Sequence, residues 1–244
     1  MEKASQAVEK ANALADLIEL RVDYLKLPAL EPLLARSKKP IVVTSRPKEE
    51  GGRFDGDEKK RLAILREAAD LGADFVDVEM KSERPFLKEL LHHKNGTRVI
   101  LSFHDFQKTA SSRELKDLCG RMMGWGVDVI KIVPFACTFE DNLKILSLIP
   151  YAREKKQKIV AFCMGERGKM SRIFAPLMGA AWTYASLSRR RASAPGQLTA
   201  LELKEIWERL GCSMPIRNYS VSLATQCATA SARSSTTEFS DGWV

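Results

Sequence analysis

Two kinds of hydrophobic pattern alternate along the chain. Short runs rich in β-branched residues recur at 17–22, 40–45, 74–79, 98–103, 127–132, 158–163 and 181–186. Their spacing is close to the roughly 30 residues of a strand–helix–strand unit. The stretches between them have helical periodicity. Residues 57–71 place Leu62, Leu65 and Ala69 on one stripe, and residues 112–123 do the same with Leu115, Leu118 and Met122. Runs that are apolar on both faces and separated by helices predict a parallel sheet covered by helices, in a barrel or a doubly wound arrangement. No G-x-G-x-x-G follows the first run, which weakens the dinucleotide-binding alternative. Residues 1–16 read as a helix, not a strand.

Polar residues collect at the carboxyl ends of the runs: Glu19, Arg21 and Asp23; Arg46 and Glu50; Glu79; His104 and Asp105; Lys131; Met164 and Gly165. In a barrel these ends converge on one face, where active sites sit. Lys131, inside the run Val129-Ile130-Lys131-Ile132-Val133, is costly to bury while charged. Burial and nearby cations would lower its pKa and release a nucleophilic amine. A strand-end lysine paired with a carboxylate, or one facing outward, fits the spacing equally well. His104 follows a strand and suits a general acid or base, or a hydrogen-bonded loop position. His92 and His93 read as a polar helix end. Glu19 and Arg21, two apart, share one strand face and would bind substrate hydroxyls or each other. Arg172 is a candidate for two-pronged carboxylate binding. Residues 193–197 form a short polar loop.

Composition narrows the partners. The net charge is +8, yet most basic residues are interspersed with acids, and the one dense run, Arg189-Arg190-Arg191, has no interleaved aromatics. A small anionic substrate is therefore expected, not nucleic acid. No run of about 18 apolar residues predicts a membrane span, and the first residues do not read as a signal peptide. Five widely spaced cysteines, Cys119, Cys137, Cys163, Cys212 and Cys227, fit reduced thiols in a cytoplasm.

Taken in order, Ile18-Glu19-Leu20-Arg21-Val22-Asp23, Thr44-Ser45-Arg46 with Glu50-Gly51-Gly52, Ser102-Phe103-His104-Asp105, Ile130-Lys131, Met164-Gly165 with Ser171-Arg172, and Ser193-Ala194-Pro195-Gly196-Gln197 resemble type I 3-dehydroquinate dehydratase. This is the Schiff-base class of the shikimate pathway. The likeness covers residues 14–210. It implies a (β/α)8 TIM-type barrel, a hydro-lyase that converts 3-dehydroquinate to 3-dehydroshikimate in aromatic amino-acid biosynthesis, and a homodimer. Lys131 would form the imine, His104 would move protons, and Glu50 would set the protonation of His104. Arg172 would hold the substrate carboxylate with Ser193 and Gln197 closing over it, and Glu19, Arg21 and Arg46 would hold hydroxyls. The chemistry implied needs no metal and no cofactor.

Two departures stand out. Members of the family usually begin with a strand before the first helix, so the expectation here is a barrel lacking its usual first strand. Residues 1–211 then form the barrel domain. Residues 212–244, rich in Ser, Thr and Ala, form an atypical and largely disordered tail, in which 217–224 could be a strand filling the empty slot. A class I aldolase-like barrel and an inactive or truncated family remnant remain as alternatives.

Overall fold

A computed structural model of the chain describes residues 2–25, 29–93, 95–211 and 219–223, with backbone only at 191, 219 and 221–223. Strands β1 (Leu17–Arg21), β2 (Ile41–Thr44), β3 (Phe75–Glu79), β4 (Arg98–Asp105), β5 (Val129–Pro134), β6 (Lys158–Ala161), β7 (Thr183–Ser186) and β8 (Tyr219–Leu223) join in one sheet. Every pairing is parallel, in the order β6-β5-β4-β3-β2-β1-β8-β7. The sheet curls until its two ends meet, where the Ala181 N–H donates to the Ile159 carbonyl at 2.7 Å.

The connecting helices form where the periodicity predicts them. Helix α1 (Glu2–Leu14) precedes β1, and α2 (Leu30–Ala35) follows it. Helix α3 (Glu58–Asp70) starts at Asp57, whose side chain accepts from the Lys59 N–H. Helix α4 (Arg84–His92) carries a proline in its first turn, where the missing N–H costs nothing. Helix α5 (Ser112–Met123) and α9 (Ala200–Arg209) each open on a capping box, Ser111 with Glu114 and Thr199 with Glu202. Helices α6 (Glu140–Leu146), α7 (Leu148–Glu154) and α8 (Lys169–Leu177) complete the outer layer.

Alternation along the strands divides the core in two. Ile18, Leu20, Val43, Val76, Val78, Leu101, Ile130 and Ile132 pack against helix residues such as Leu62, Leu65, Leu115 and Met122. Leu17, Val42, Phe75, Ile100, Val129, Val160 and Trp182 form a separate cluster inside the barrel. The inward positions turn polar further along each strand. Leu17 is followed by Glu19 and Arg21, Phe75 by Asp77 and Glu79, Ile100 by Ser102 and His104, and Val129 by Lys131. An apolar floor therefore carries a polar site at the carboxyl ends.

No strand precedes β1 among the described residues. The slot between β1 and β7 is filled from the other end of the chain by β8. Ser220 pairs with Leu17 and Leu223 with Leu20 on one side, and Tyr219 pairs with Thr183 and Ser222 with Ser186 on the other. The barrel thus draws on residues beyond 211. Physically the slot must be filled, because two facing strand edges would otherwise leave their buried N–H and C=O groups unpaired. The rest of the 212–244 segment, including 217, 218, 224, Cys212 and Cys227, lies outside the described residues. Cys119, Cys137 and Cys163 are free thiols. No described helix is long and apolar enough to cross a membrane.

Candidate active site

Lys131 points into the barrel and is only 4% exposed. Its Nζ donates to Asp77 Oδ2 at 2.9 Å, lies 3.5 Å from Glu19 Oε1, and sits 4.2 Å from the centre of the Tyr184 ring. Burial pulls the ammonium down, and Arg46 adds to that. Asp77, Tyr184 and Glu19 outweigh both and hold Lys131 above the ordinary lysine value. The expectation of a depressed amine is thereby corrected. Asp77 and Glu19 come from two other strands and meet the amine only once the barrel closes.

A lattice of buried charges surrounds the amine. Arg46 donates through Nη1 to Glu79 Oε1 at 2.6 Å and Ser102 Oγ at 2.7 Å, and through Nη2 to Asp77 Oδ2 at 2.8 Å. Ser102 Oγ donates to Asp77 Oδ1 at 2.6 Å. Burial would raise Asp77, but Arg46 and then Lys131 drive it far below the carboxylate range. Arg21 pairs with Asp23, through Nε to Oδ1 at 2.8 Å and Nη2 to Oδ2 at 2.7 Å. Glu19 accepts from Thr44 Oγ1 at 3.1 Å instead. Sharing a strand face did not make Glu19 and Arg21 a pair.

His104 Nδ1 lies 2.9 Å from Glu50 Oε2. Burial, then Arg46 and Lys131, pull His104 well below its usual value, so the imidazole is neutral across the physiological range. Burial pushes Glu50 up to about 7 against the pull of Arg46. Near neutrality the pair thus exchanges a proton at Glu50 while the histidine remains an uncharged base. A histidine titrating near neutrality, as its residue type suggests, is not what the site contains.

Arg172, on the helix that follows β6, is 1% exposed. Its guanidinium stands 4.3 Å from the centre of the Phe162 ring, and Nη2 reaches the Pro195 carbonyl at 3.4 Å. Nε has no hydrogen-bond partner and, among the described residues, no carboxylate pairs with Arg172. Burial lowers it to about 10. Ser193 donates through its N–H to Gln197 Oε1 at 2.7 Å and through Oγ at 3.2 Å. Gly196 allows that loop to close: its φ is 71°, and a Cβ there would lie 2.2 Å from the Gly165 carbonyl oxygen.

One cavity of about 460 Å³, measured to its open mouth, gathers these groups. Glu19, Arg21, Arg46, Glu50, His104, Lys131, Arg172, Ser193 and Gln197 all line it, with Phe106, Phe162, Met164 and Tyr184. Every residue singled out from the sequence as catalytic or substrate-binding is thus at the cavity. Sequence reasoning missed Asp77, Ser102, Phe162 and Tyr184. A signal for the first existed: Asp77 and Glu79 are two apart in one strand, hence on one face. Among the described residues no group of His, Cys, Asp and Glu could hold a metal ion.

The family model for type I 3-dehydroquinase matches residues 1–213. The chain is 35% identical over 198 residues to 3-dehydroquinate dehydratase of Desulfotalea psychrophila, covering 80% of this chain and 87% of that protein. It is 36% identical over 211 residues to the protein of that name from Methanocaldococcus jannaschii, covering 85% and 93%. Among solved structures, type I 3-dehydroquinate dehydratase from Clostridium difficile, described with covalent modified comenic acid, superposes with a TM-score of 0.75 at 26% identity over 87% of each chain. The enzyme from Geobacillus kaustophilus, at 22% identity and a TM-score of 0.76 over 86% of each chain, supports the fold alone.

Proposed function

Because the chain belongs to the type I 3-dehydroquinase family and acts as a 3-dehydroquinate dehydratase, we propose that the cavity removes water from 3-dehydroquinate through an imine on Lys131. The observation that carries this reading is the pair of cations that line one cavity. Among the described residues Arg172 is buried without a carboxylate partner, and Lys131 faces the same cavity. An uncompensated buried guanidinium is unfavourable until an anion arrives. A keto acid satisfies both groups at once, with its carboxylate on Arg172 and its ketone at the amine.

In this reading the Lys131 amine, having released a proton, attacks the C3 ketone, and loss of water leaves a protonated imine. The imine withdraws electrons and acidifies the C2 proton. Neutral His104 takes that proton, and the enamine formed expels the C1 hydroxyl, which departs as water with the proton His104 returns. Hydrolysis of the product imine consumes one water and restores the amine, so one water is lost overall. Glu50 holds His104 Nδ1 and leaves the other ring nitrogen free to work. Ser193 and Gln197 close the loop beside Arg172, while Glu19, Arg21 and Arg46 present hydrogen-bonding groups to the ring hydroxyls. The scheme calls on no metal and no cofactor.

The chain works in the cytoplasm, which the free thiols at Cys119, Cys137 and Cys163 support. It has no nucleic-acid partner; Arg189 of the one basic run is committed to Glu202 at 2.5 Å. It forms a homodimer, an expectation that sedimentation checks directly.

The deciding experiment treats the protein with 3-dehydroquinate and borohydride, seeks a reduced adduct on Lys131 by mass spectrometry, and follows enone absorbance. Adduct and product together are expected. An adduct without product would favour an aldolase-like barrel, and neither would mark an inactive remnant.

A further inference from the structure

Arg61 is 1% exposed and lies on α3, outside the cavity lining. Its guanidinium has no unused face. Nε and Nη2 donate to the two oxygens of Glu58, each at 2.7 Å, and Nη2 also donates to Ser82 Oγ at 2.8 Å. Nη1 donates to the Ser45 carbonyl at 2.8 Å and to Glu79 Oε2 at 2.5 Å. The other oxygen of Glu79 accepts from Arg46, which also reaches Asp77, which in turn accepts from Lys131. Alternating charges thus run Arg61, Glu79, Arg46, Asp77, Lys131 from the outer helix to the amine.

We propose that Arg61 is a positioning residue for Lys131: by holding one oxygen of Glu79 it leaves Arg46 shared with Asp77, and so limits how tightly Asp77 keeps the amine's proton. The inference rests on Lys131 being the imine-forming residue. The charged and titratable groups that face the amine come from several elements: Glu19 on β1, Asp77 on β3, His104 on β4, Tyr184 on β7, and Arg46 just beyond β2. Only Arg46 among them also touches Glu79. Without Arg61, Glu79 has Arg46 as its one remaining ion-pair partner among the described residues and draws it from Asp77. More of the negative charge of Asp77 then falls on Lys131, and the amine gives up its proton less readily. The converse holds for Glu79. Without its charge, Arg46 turns to Asp77, and Lys131 releases its proton more easily.

The test compares Arg61→Met, Arg61→Lys, Glu79→Gln and the double variant Arg61→Met/Glu79→Gln. The readouts are the acid limb of kcat/KM against pH, the yield of borohydride adduct against pH, and Tm. Arg61→Met should lose about tenfold in kcat/KM on the acid limb, equivalent to a one-unit shift to higher pH. Arg61→Lys, which keeps the charge, should recover most of that loss. Glu79→Gln should move the limb to lower pH. The double variant, which removes Arg61 and the charge of Glu79 together and leaves only the partly exposed Glu58 without its partner, should return to within about threefold of the parent. If Arg61→Met lowers Tm while its limb overlays the parent's, Arg61 is merely structural. If Glu79→Gln shifts the limb upward, the chain of charges is wrong. Should Arg61→Met not fold, Glu79→Gln and the double variant still decide. Absence of any adduct in the parent sinks the imine reading itself. An adduct in the parent with unmoved limbs sinks only the role of Arg61.

Discussion

At the scale of single residues, the site separates groups that stabilise the fold from groups that serve the substrate. Arg172 is the clearest case. It is buried, its pKa is lowered to about 10, and Nε lacks a partner. Replacing such a cation by an apolar side chain of similar length is often neutral or stabilising. Arg172→Met should therefore keep or raise Tm in the empty enzyme while raising KM about 100-fold, the worth of a two-pronged charged contact. A fall in Tm of more than a few degrees would show that Arg172 supports the fold. Glu50 gives a pH-dependent counterpart. Its folded pKa, about 7, lies above its ordinary 4.5. Below both values the folded and unfolded states are protonated alike and burial costs nothing. As pH rises from about 4.5 through about 7 the unfolded state ionises first, and stability falls by up to about 3 kcal/mol. Glu50→Gln removes that loss, so it should raise Tm at pH 8 and leave it nearly unchanged at pH 4. Equal effects at the two pH values would refute the shift. Activity should fall at pH 8, where Gln cannot supply the carboxylate charge beside His104.

At the scale of elements, seven strands were legible because each falls in a short run rich in β-branched and other apolar residues. Their boundaries moved by a residue or two where pairing, not hydrophobicity, sets the end. The run expected to stop at Ile132 continues to Pro134 because β4 extends alongside it, pairing Asp105 with Pro134. The eighth strand was a weaker reading. Ser220 and Ser222 interrupt its apolar pattern, and only the slot between β1 and β7 gives it a place. If β8 completes the barrel, a chain ending after Gly211 loses a strand that pairs on both sides. That should lower Tm by roughly 10 °C, a few kcal/mol in a domain of this size, and bare the β1 and β7 edges to dye binding or aggregation. An unchanged Tm would mean that the barrel stands without β8.

At the scale of the whole molecule, the net charge of +8 has both a local and a global side. Most basic residues are interspersed with acids along the sequence, while among the described residues the buried Arg172 guanidinium at the cavity has no carboxylate partner. A positive surface around an anion-binding cavity attracts substrate from a distance, and salt screens that attraction beyond about 8 Å at physiological ionic strength. kcat/KM should drop several-fold between about 0.05 and about 0.5 M NaCl, with kcat steady. A flat kcat/KM would confine the charge effect to the cavity.

The sequence by itself determined the parallel α/β architecture, the inward face of each strand end, and the group of residues that meets at the cavity. These follow from local periodicity: a period of two says which residues share a face, and helix caps say where the chain turns. Only the tertiary structure decided which charges meet. Lys131 and Asp77 are 54 residues apart, as are His104 and Glu50, and Arg46 lies 31 residues from Asp77. No local pattern encodes such pairs, because they depend on which strands the closed barrel brings side by side. For that reason the amine lies above the usual lysine range where the sequence suggested below it, and for the same reason Arg61, on an outer helix, is joined to it.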